Sequence, residues 1–366
     1  MHLLYHPGVT AMSVQELTMY LNTLDIYQTD LAQIRPVSRL VSTAVFLFSG
    51  LMLCSANASA VQPVTPDYSS AKPGDVIQIK LSELYPTQMA VGKLQIDGDL
   101  ADYASDPESL FNDLCKVQGA GKLAKSDATS TPKNPATYSC TLAVGTKKAD
   151  MNTVDVGPEG KLYLTDGHHA FNSFWEVPDG GGDVTLSVLI GENLSRDSSG
   201  KPLTQSQFEQ KMAELKHFLP IDAKGNPITF SQLPDSLGLS KFQDDPLRSM
   251  LYYLRGVSYD KSDKNLNPET GKPYPEVPFL EFYWGQLLSS KMDLTAYNLH
   301  QQDDYIRALK DAAALMVGLP KQQLIGNSGQ TAAALGQMSR VDKKRLKKLA
   351  KPGSKLAKAL AYQASH

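Results

Sequence analysis

The stretch GKLYLTDGHHAFNSFWEV, residues 160–177, runs from an apolar segment through an Asp-Gly turn into two histidines and an aromatic-rich helix. A strand, a tight glycine turn and a helix in direct succession commit the chain to packing both element types around one core. The flanking sequence agrees. VIQIKL from Val76 alternates apolar and polar residues with period two and reads as a strand, as do YSCTLAV, NTVDVG, KLYLT and DVTLSVLIGEN. SELYPTQMAVG turns the chain after the first strand. SDPESLFNDLCK reads as a helix with Asp106 or Ser105 as its cap and Pro107 at its first position, and the helix from about His168 to Glu176 buries Phe171, Phe174 and Trp175. Downstream, helices begin at Thr204 and at Asp245, then follow in VPFLEFYWGQLLSSKM and DDYIRALKDAAALMVGLP. The expected fold is α+β, a small mixed sheet with flanking helices followed by a mostly helical C-terminal part.

Residues 40–53, LVSTAVFLFSGLML, are preceded by Arg35 and Arg39 and followed by SANASA, with Ala58 and Ala60 spaced as in a cleavage site. This is the pattern of a secretory signal peptide, so residues 1–60 read as an N-terminal extension plus signal, and a periplasmic or secreted location follows. Residues before Arg35 carry no export character, which suggests a translation start further downstream. The apolar run is shorter than the roughly 20 residues of a membrane span, so no stable span is expected after its removal. Residues 61–75 form a Pro- and Ser-rich linker. Cys115 and Cys140 are then an even pair in an exported chain, and a disulfide is the default expectation, stapling the Gly-, Ser- and Pro-rich loop between them and stabilising it by about 3 kcal/mol. The tail from Arg340 carries nine Lys or Arg against Asp342, while residues 1–60 carry two Arg against three acids, so a whole-chain charge of −2 leaves residues 61–339 at −9. An acidic body is a poor footprint for duplex DNA. The tail, broken at Pro352 and Gly353, reads first as a solvated or frayed surface helix.

The turn carries the chemistry. A strand feeding a glycine turn and a helix aims backbone N–H groups and the positive helix end at whatever sits there. Asp166 stands at or just before the cap, Gly167 permits close approach, and His168 and His169 fill the first helical turn. Neighbouring helical residues diverge by about 100°, so one imidazole is expected to face a pocket and the other to support it. The same residues also fit a capped helix with two half-exposed histidines. His217 and His300 have no metal-ligand spacing to the pair. Arg248 and Arg255, seven residues apart, share a helix face and can engage a phosphate together, or Arg248 can pair with Asp244 or Asp245. Glu281, inside an apolar helix, is either on an exposed stripe or buried with a partner, and burial would suit an acid/base role.

Four ordered motifs, LYPTQMAVG, GPEGKLYLTDGHHAFNSFWEV, FQDDPLRSMLYYLRG and VPFLEFYWGQLL, resemble the putative ParB-like nuclease family, a divergent branch of the ParB/sulfiredoxin fold. The resemblance covers roughly residues 76–292 and places a ParB/sulfiredoxin-like domain at 76–300, with the insertion at 115–140 and a helical region with a basic tail at 301–366. It implies that Asp166, Gly167, His168 and His169 form a phosphate loop, that Pro86, Thr87 and Gln88 match an early motif, and that Asp244, Asp245, Pro246, Arg248 and Ser249 match a third, with Glu281 and Trp284 in the last. The catalytic candidates are therefore His168, His169 and Glu281. The anion-binding candidates are Asp166, Gly167, Gln88, Thr87, Arg248 and Arg255. Ala170 stands where many relatives carry Arg, and the loop lacks the sulfiredoxin cysteine, so sulfinic acid reduction is not expected. The implied function is an exported phosphate-ester hydrolase, a nuclease or nucleotide phosphodiesterase; the alternative is a non-catalytic nucleotide- or anion-binding protein of the cell envelope. The implied ligand is a nucleotide, a nucleic acid or a small anion. No metal ligands are assigned, and a divalent metal cofactor is left open.

Overall fold

The computed structural model describes residues 66–261, 266, 270–274 and 276–366. The export segment lies outside them. Nine strands and nine α-helices occur among the described residues. The strands are β1 (Val76–Lys80), β2 (Leu84–Pro86), β3 (Ala90–Val91), β4 (Leu123–Lys125), β5 (Ser139–Cys140), β6 (Thr153–Val156), β7 (Leu162–Leu164), β8 (Thr185–Asn193) and β9 (Gln243–Asp244). The helices are α1 (Lys93–Ser105), α2 (Pro107–Val117), α3 (His168–Glu176), α4 (Gln205–Glu214), α5 (Pro246–Leu254), α6 (Leu280–Ser289), α7 (Gln302–Gly318), α8 (Lys343–Leu349) and α9 (Lys355–Ser365).

The α+β reading holds. A five-stranded mixed sheet runs in the order β1-β8-β6-β7-β2, with β2 parallel to β7 and β6 antiparallel to it. Because side chains alternate across a strand, Val154, Val156, Leu162 and Leu164 face the core shared with Phe171 and Phe174, while Asp155 and Tyr163 face the other side. A second, helical core gathers Leu251, Leu254, Trp284, Leu288, Tyr305 and Leu309.

Three features depart from the sequence reading. SELYPTQMAVG is more than a turn: it holds β2 and β3, too short to show a period. Of YSCTLAV only Ser139 and Cys140 pair, with β4, and Leu142 and Val144 are exposed. Trp175 is half-buried. The caps at Asp106, Thr204 and Asp245 each accept a backbone N–H of their helix's first turn. Cys115 and Cys140 are disulfide-bonded.

Helix α1 has no counterpart in the sequence reading. Its buried residues Leu94, Ile96, Leu100 and Tyr103 are spread around the helix instead of forming a stripe, because the sheet core covers one side and α9 another. The basic tail is accordingly docked, not frayed: Leu356, Ala359 and Leu360 are buried, Lys355 pairs with Asp99 at 3.0 Å and Lys358 with Asp102 at 2.8 Å. Among the described residues no helix is long and apolar enough to cross a membrane.

Candidate functional site

Parallel pairing sets Thr87, just past β2, beside the end of β7. From there Thr165 and Asp166 lead into Gly167, whose φ of 103° lies in the left-handed region; a Cβ on it would also stand 2.4 Å from Asn152 Nδ2. Helix α3 starts at once, with no side chain capping it. Asp166 does not cap it either: its carboxylate accepts the Gly167 N–H at 2.8 Å. Among the described residues no acceptor meets the backbone N–H groups of His168, His169 or Ala170, so three orphan donors stand at the positive helix end.

Both imidazoles turn toward one segment. His168 Nε2 accepts the Thr87 N–H at 3.1 Å, and His169 Nε2 accepts the Gly92 N–H at 3.0 Å. The expected division into one pocket-facing ring and one supporting ring does not describe this geometry, because the chain from Thr87 to Gly92 wraps across both directions. Each ring must then carry its hydrogen on Nδ1, an assignment made from the bonding pattern. Burial pushes His168 down to about 3 and, with the nearby Arg248 charge, holds His169 well below its ordinary value, so both are neutral at pH 7.

Arg248 arrives by a second route. The parallel β3–β9 ladder lays Asp244 and Asp245 beside Val91, and Asp245 caps α5 through the Arg248 N–H. Gly92 is required here: a Cβ would stand 2.7 Å from the Ser249 nitrogen. The Arg248 side chain is 7 % exposed. It donates to Gln95 Oε1 at 2.9 Å, lies 3.5 Å from His169 Nδ1 and sits over the Phe282 ring. It makes no ion pair among the described residues; pairing with Asp244 or Asp245 is replaced by the backbone cap. Asp245 itself is pushed up to about 6 by burial.

Arg255 does not share the helix face of Arg248. Helix α5 ends at Leu254, and Arg255 turns into extended backbone, sending its guanidinium to Glu281 at 2.6 Å. Glu281 is buried and also lies near Lys261 at 3.6 Å and the Tyr259 hydroxyl at 3.4 Å. Burial alone would raise its pKa, but Arg248, Lys261 and Arg255 outweigh it and hold the carboxyl well below the usual range. That is the setting of an ionised anchor for cations rather than of a proton donor. Phe279, one step before α6, takes φ 57°, a strained value for a bulky residue, on the same wall.

These groups line a cleft of about 910 Å³ that includes Gln88, Asn152, Asp166, His169, Arg248 and Glu281. Gln88 is buried, and its amide donates to the Ala90 carbonyl at 2.6 Å. Thr87 is fully buried with its hydroxyl given to the Leu164 carbonyl at 2.6 Å, so it orders the turn and does not line the cleft. Asn152 Nδ2 is buried without a hydrogen-bond partner. Asp166 opens on the cleft, and the protein around it raises its pKa against the pull of Lys261. Among the described residues no group of three or more His, Cys, Asp or Glu is placed to hold a metal ion.

The model of the Putative ParB-like nuclease family matches residues 77–290. The chain belongs to this family. The ParB-like match runs from β1 through α6 and takes in the turn, the Thr87–Gly92 segment, Arg248 and Glu281. Helices α7 to α9 lie beyond it. Among solved structures the ParB-like chain is similar to the crystal structure of protein Atu1540 from Agrobacterium tumefaciens, at 19 % identity and a TM-score of 0.43, covering 69 % of this chain and 97 % of that one. No curated protein matches.

Several residues of the ParB-like cleft carry no signal in the sequence. Gln95 sits in the unread helix α1, and Asn152 is a lone polar residue before β6. Lys261 follows the Arg255 turn with no period to mark it.

Proposed function

We propose that the cleft binds the phosphate group of a nucleotide or nucleic acid and that the protein is a phosphate-ester hydrolase, a nuclease or nucleotide phosphodiesterase. One observation carries this reading. His169 Nε2 is taken by Gly92, so its Nδ1–H faces the Arg248 guanidinium at 3.5 Å, and two donors meet with no acceptor between them. Arg248 forms no ion pair among the described residues, and Glu281, which feels its charge, is engaged by Arg255 and Lys261, so the guanidinium keeps donors that an anion at this point would take. Asn152 Nδ2 and the uncapped start of α3 add donors to the same cleft. With Ala170 where relatives carry Arg, Arg248 supplies the guanidinium from another helix. Membership of a nuclease family supports nucleic acid or nucleotide as the source of the phosphate. Export to the periplasm or beyond, supported by the apolar run at 40–53 and by the disulfide, completes the reading. Cell fractionation and the mass of the mature N-terminus test that part.

A second reading, a non-catalytic anion-binding protein, is favoured by a different observation. His168 and His169 are neutral with Nε2 engaged, and Glu281 is held ionised, so none of these three exchanges a proton readily at pH 7. Calorimetry of the full chain against inorganic phosphate and a nucleotide panel, paired with phosphodiesterase assays with and without divalent metal, separates the two. Binding with turnover supports the hydrolase, binding alone the second reading, and no binding removes both.

A further inference from the structure

On the side of the sheet away from the main core, Asp155 of β6 is fully buried, and its two oxygens are both engaged. Oδ1 accepts the Glu192 N–H at 2.9 Å, and Oδ2 lies 2.6 Å from His217 Nδ1. The His217 ring is partly open, 26 % exposed, and lines the same cleft as Arg248 and His169. Its Nε2 has no hydrogen-bond partner among the described residues. The backbone fixes its place. Leu219 donates its N–H to the Thr87 carbonyl at 3.0 Å, while the Thr87 N–H holds His168. One residue therefore ties the His217 segment to the histidine turn, and two residues of chain span at most about 7 Å.

We propose that Asp155 and His217 form the proton-transfer dyad of the cleft, with His217 Nε2 as the general base and Asp155 as its positioning residue. The inference rests on the hydrolase reading and names the group that reading lacks. A buried carboxylate on Nδ1 fixes the tautomer that leaves Nε2 free to accept a proton, the role such pairs play when a histidine must act near neutral pH. In the step, an oxygen of water bonds to phosphorus as its proton passes to His217 Nε2. The ester P–O bond breaks, the leaving oxygen takes a proton from solvent, and the imidazolium returns its proton to solvent. Water and diester become monoester and alcohol. Asp155 and Glu192 are the charged groups acting on the ring, both raise its proton affinity, and its backbone neighbour Lys216 reaches instead to the Ser328 carbonyl.

The test uses the full chain and bis(p-nitrophenyl) phosphate as reporter, with inorganic phosphate as the binding probe. His217→Gln is expected to bind phosphate within about threefold of wild type while turnover falls at least about 100-fold, the usual range for a lost general base. His217→Ala should recover part of its rate on addition of imidazole. Asp155→Asn, where it folds as judged by thermal melting, should shift the acid limb of the pH–rate profile to lower pH. Turnover in His217→Gln close to wild type, with phosphate still bound, overturns the dyad and leaves the hydrolase reading standing. No turnover by wild type with or without divalent metal removes that reading and the dyad with it.

Discussion

Thr87 donates its backbone N–H to Nε2 of His168 at 3.1 Å, and both residues are buried. The bond requires an unprotonated Nε2, and burial lowers the His168 pKa from 6.5 to about 3. The unfolded chain therefore takes up a proton below pH 6.5 that the folded chain refuses. Stability is complete above the unfolded value and falls with pH by about 1.4 kcal/mol per unit until the folded value is reached. His169 acts in the same direction. In His168→Gln, whose side-chain oxygen can still accept from Thr87, that share of the slope should vanish. Urea unfolding of both proteins at about pH 7 and pH 5.5 measures it.

Arg248 is predicted to govern affinity for anions. Arg248→Gln should weaken inorganic phosphate binding about 10- to 100-fold, the worth of a charge-assisted hydrogen bond. Its melting temperature should fall modestly, because the Gln95 bond and part of the positive field that keeps buried Glu281 ionised are lost. Equal phosphate affinity in the two proteins would remove Arg248 from the site.

Glu281→Gln should act mainly on stability. The substitution leaves Arg255 and Lys261 without their shared carboxylate; both are partly exposed, so a loss of about 2 kcal/mol is expected, less than for a fully buried pair. A depressed carboxyl pKa stabilises the fold above its ordinary value of 4.5, and that stabilisation is lost as pH falls below it. The gap between wild type and variant should therefore be constant near neutrality and close in acid, which denaturant melts across that range would follow.

Gly98 offers a test of the α1–α9 contact. A Cβ there would meet the Ala359 methyl at 3.4 Å and Lys355 Cε at 3.5 Å, both ordinary contacts. Gly98→Ala should stabilise by about 0.5–1 kcal/mol through helix propensity. Gly98→Leu should cost more than that gain, because the branched side chain has to push α9 away. Thermal melting gives the sign of each.

Where periodicity and caps speak, the sequence is legible: β8, α5 and α7 are long or cleanly capped, and the order of motifs around His168, Arg248 and Glu281 marks the family. Legibility fails where tertiary contacts, not local patterns, decide. Strands β2 and β3 are defined by ladders to β7 and β9, and α1 hides its helical stripe because it is covered on more than one side. The histidine turn was readable as a turn, but not the fact that Thr87 and Gly92 lock its rings. Asp155, a charged residue between Val154 and Val156 in an interior strand, was the one visible clue to the His217 pair.

The bonds that shape the cleft join residues far apart along the chain: Thr87 to His168 across 81 positions, Gly92 to His169 across 77, and Arg248 to Gln95 across 153. Each such contact closes a long loop, at an entropic cost that the other contacts help to offset. A peptide carrying the Asp-Gly-His-His motif alone would hold no anion. Conversely, a phosphate that bound the assembled cleft would stabilise only the completed fold, by an amount that grows with ligand concentration over the dissociation constant. A phosphate-dependent rise in melting temperature would thus report global assembly as much as recognition.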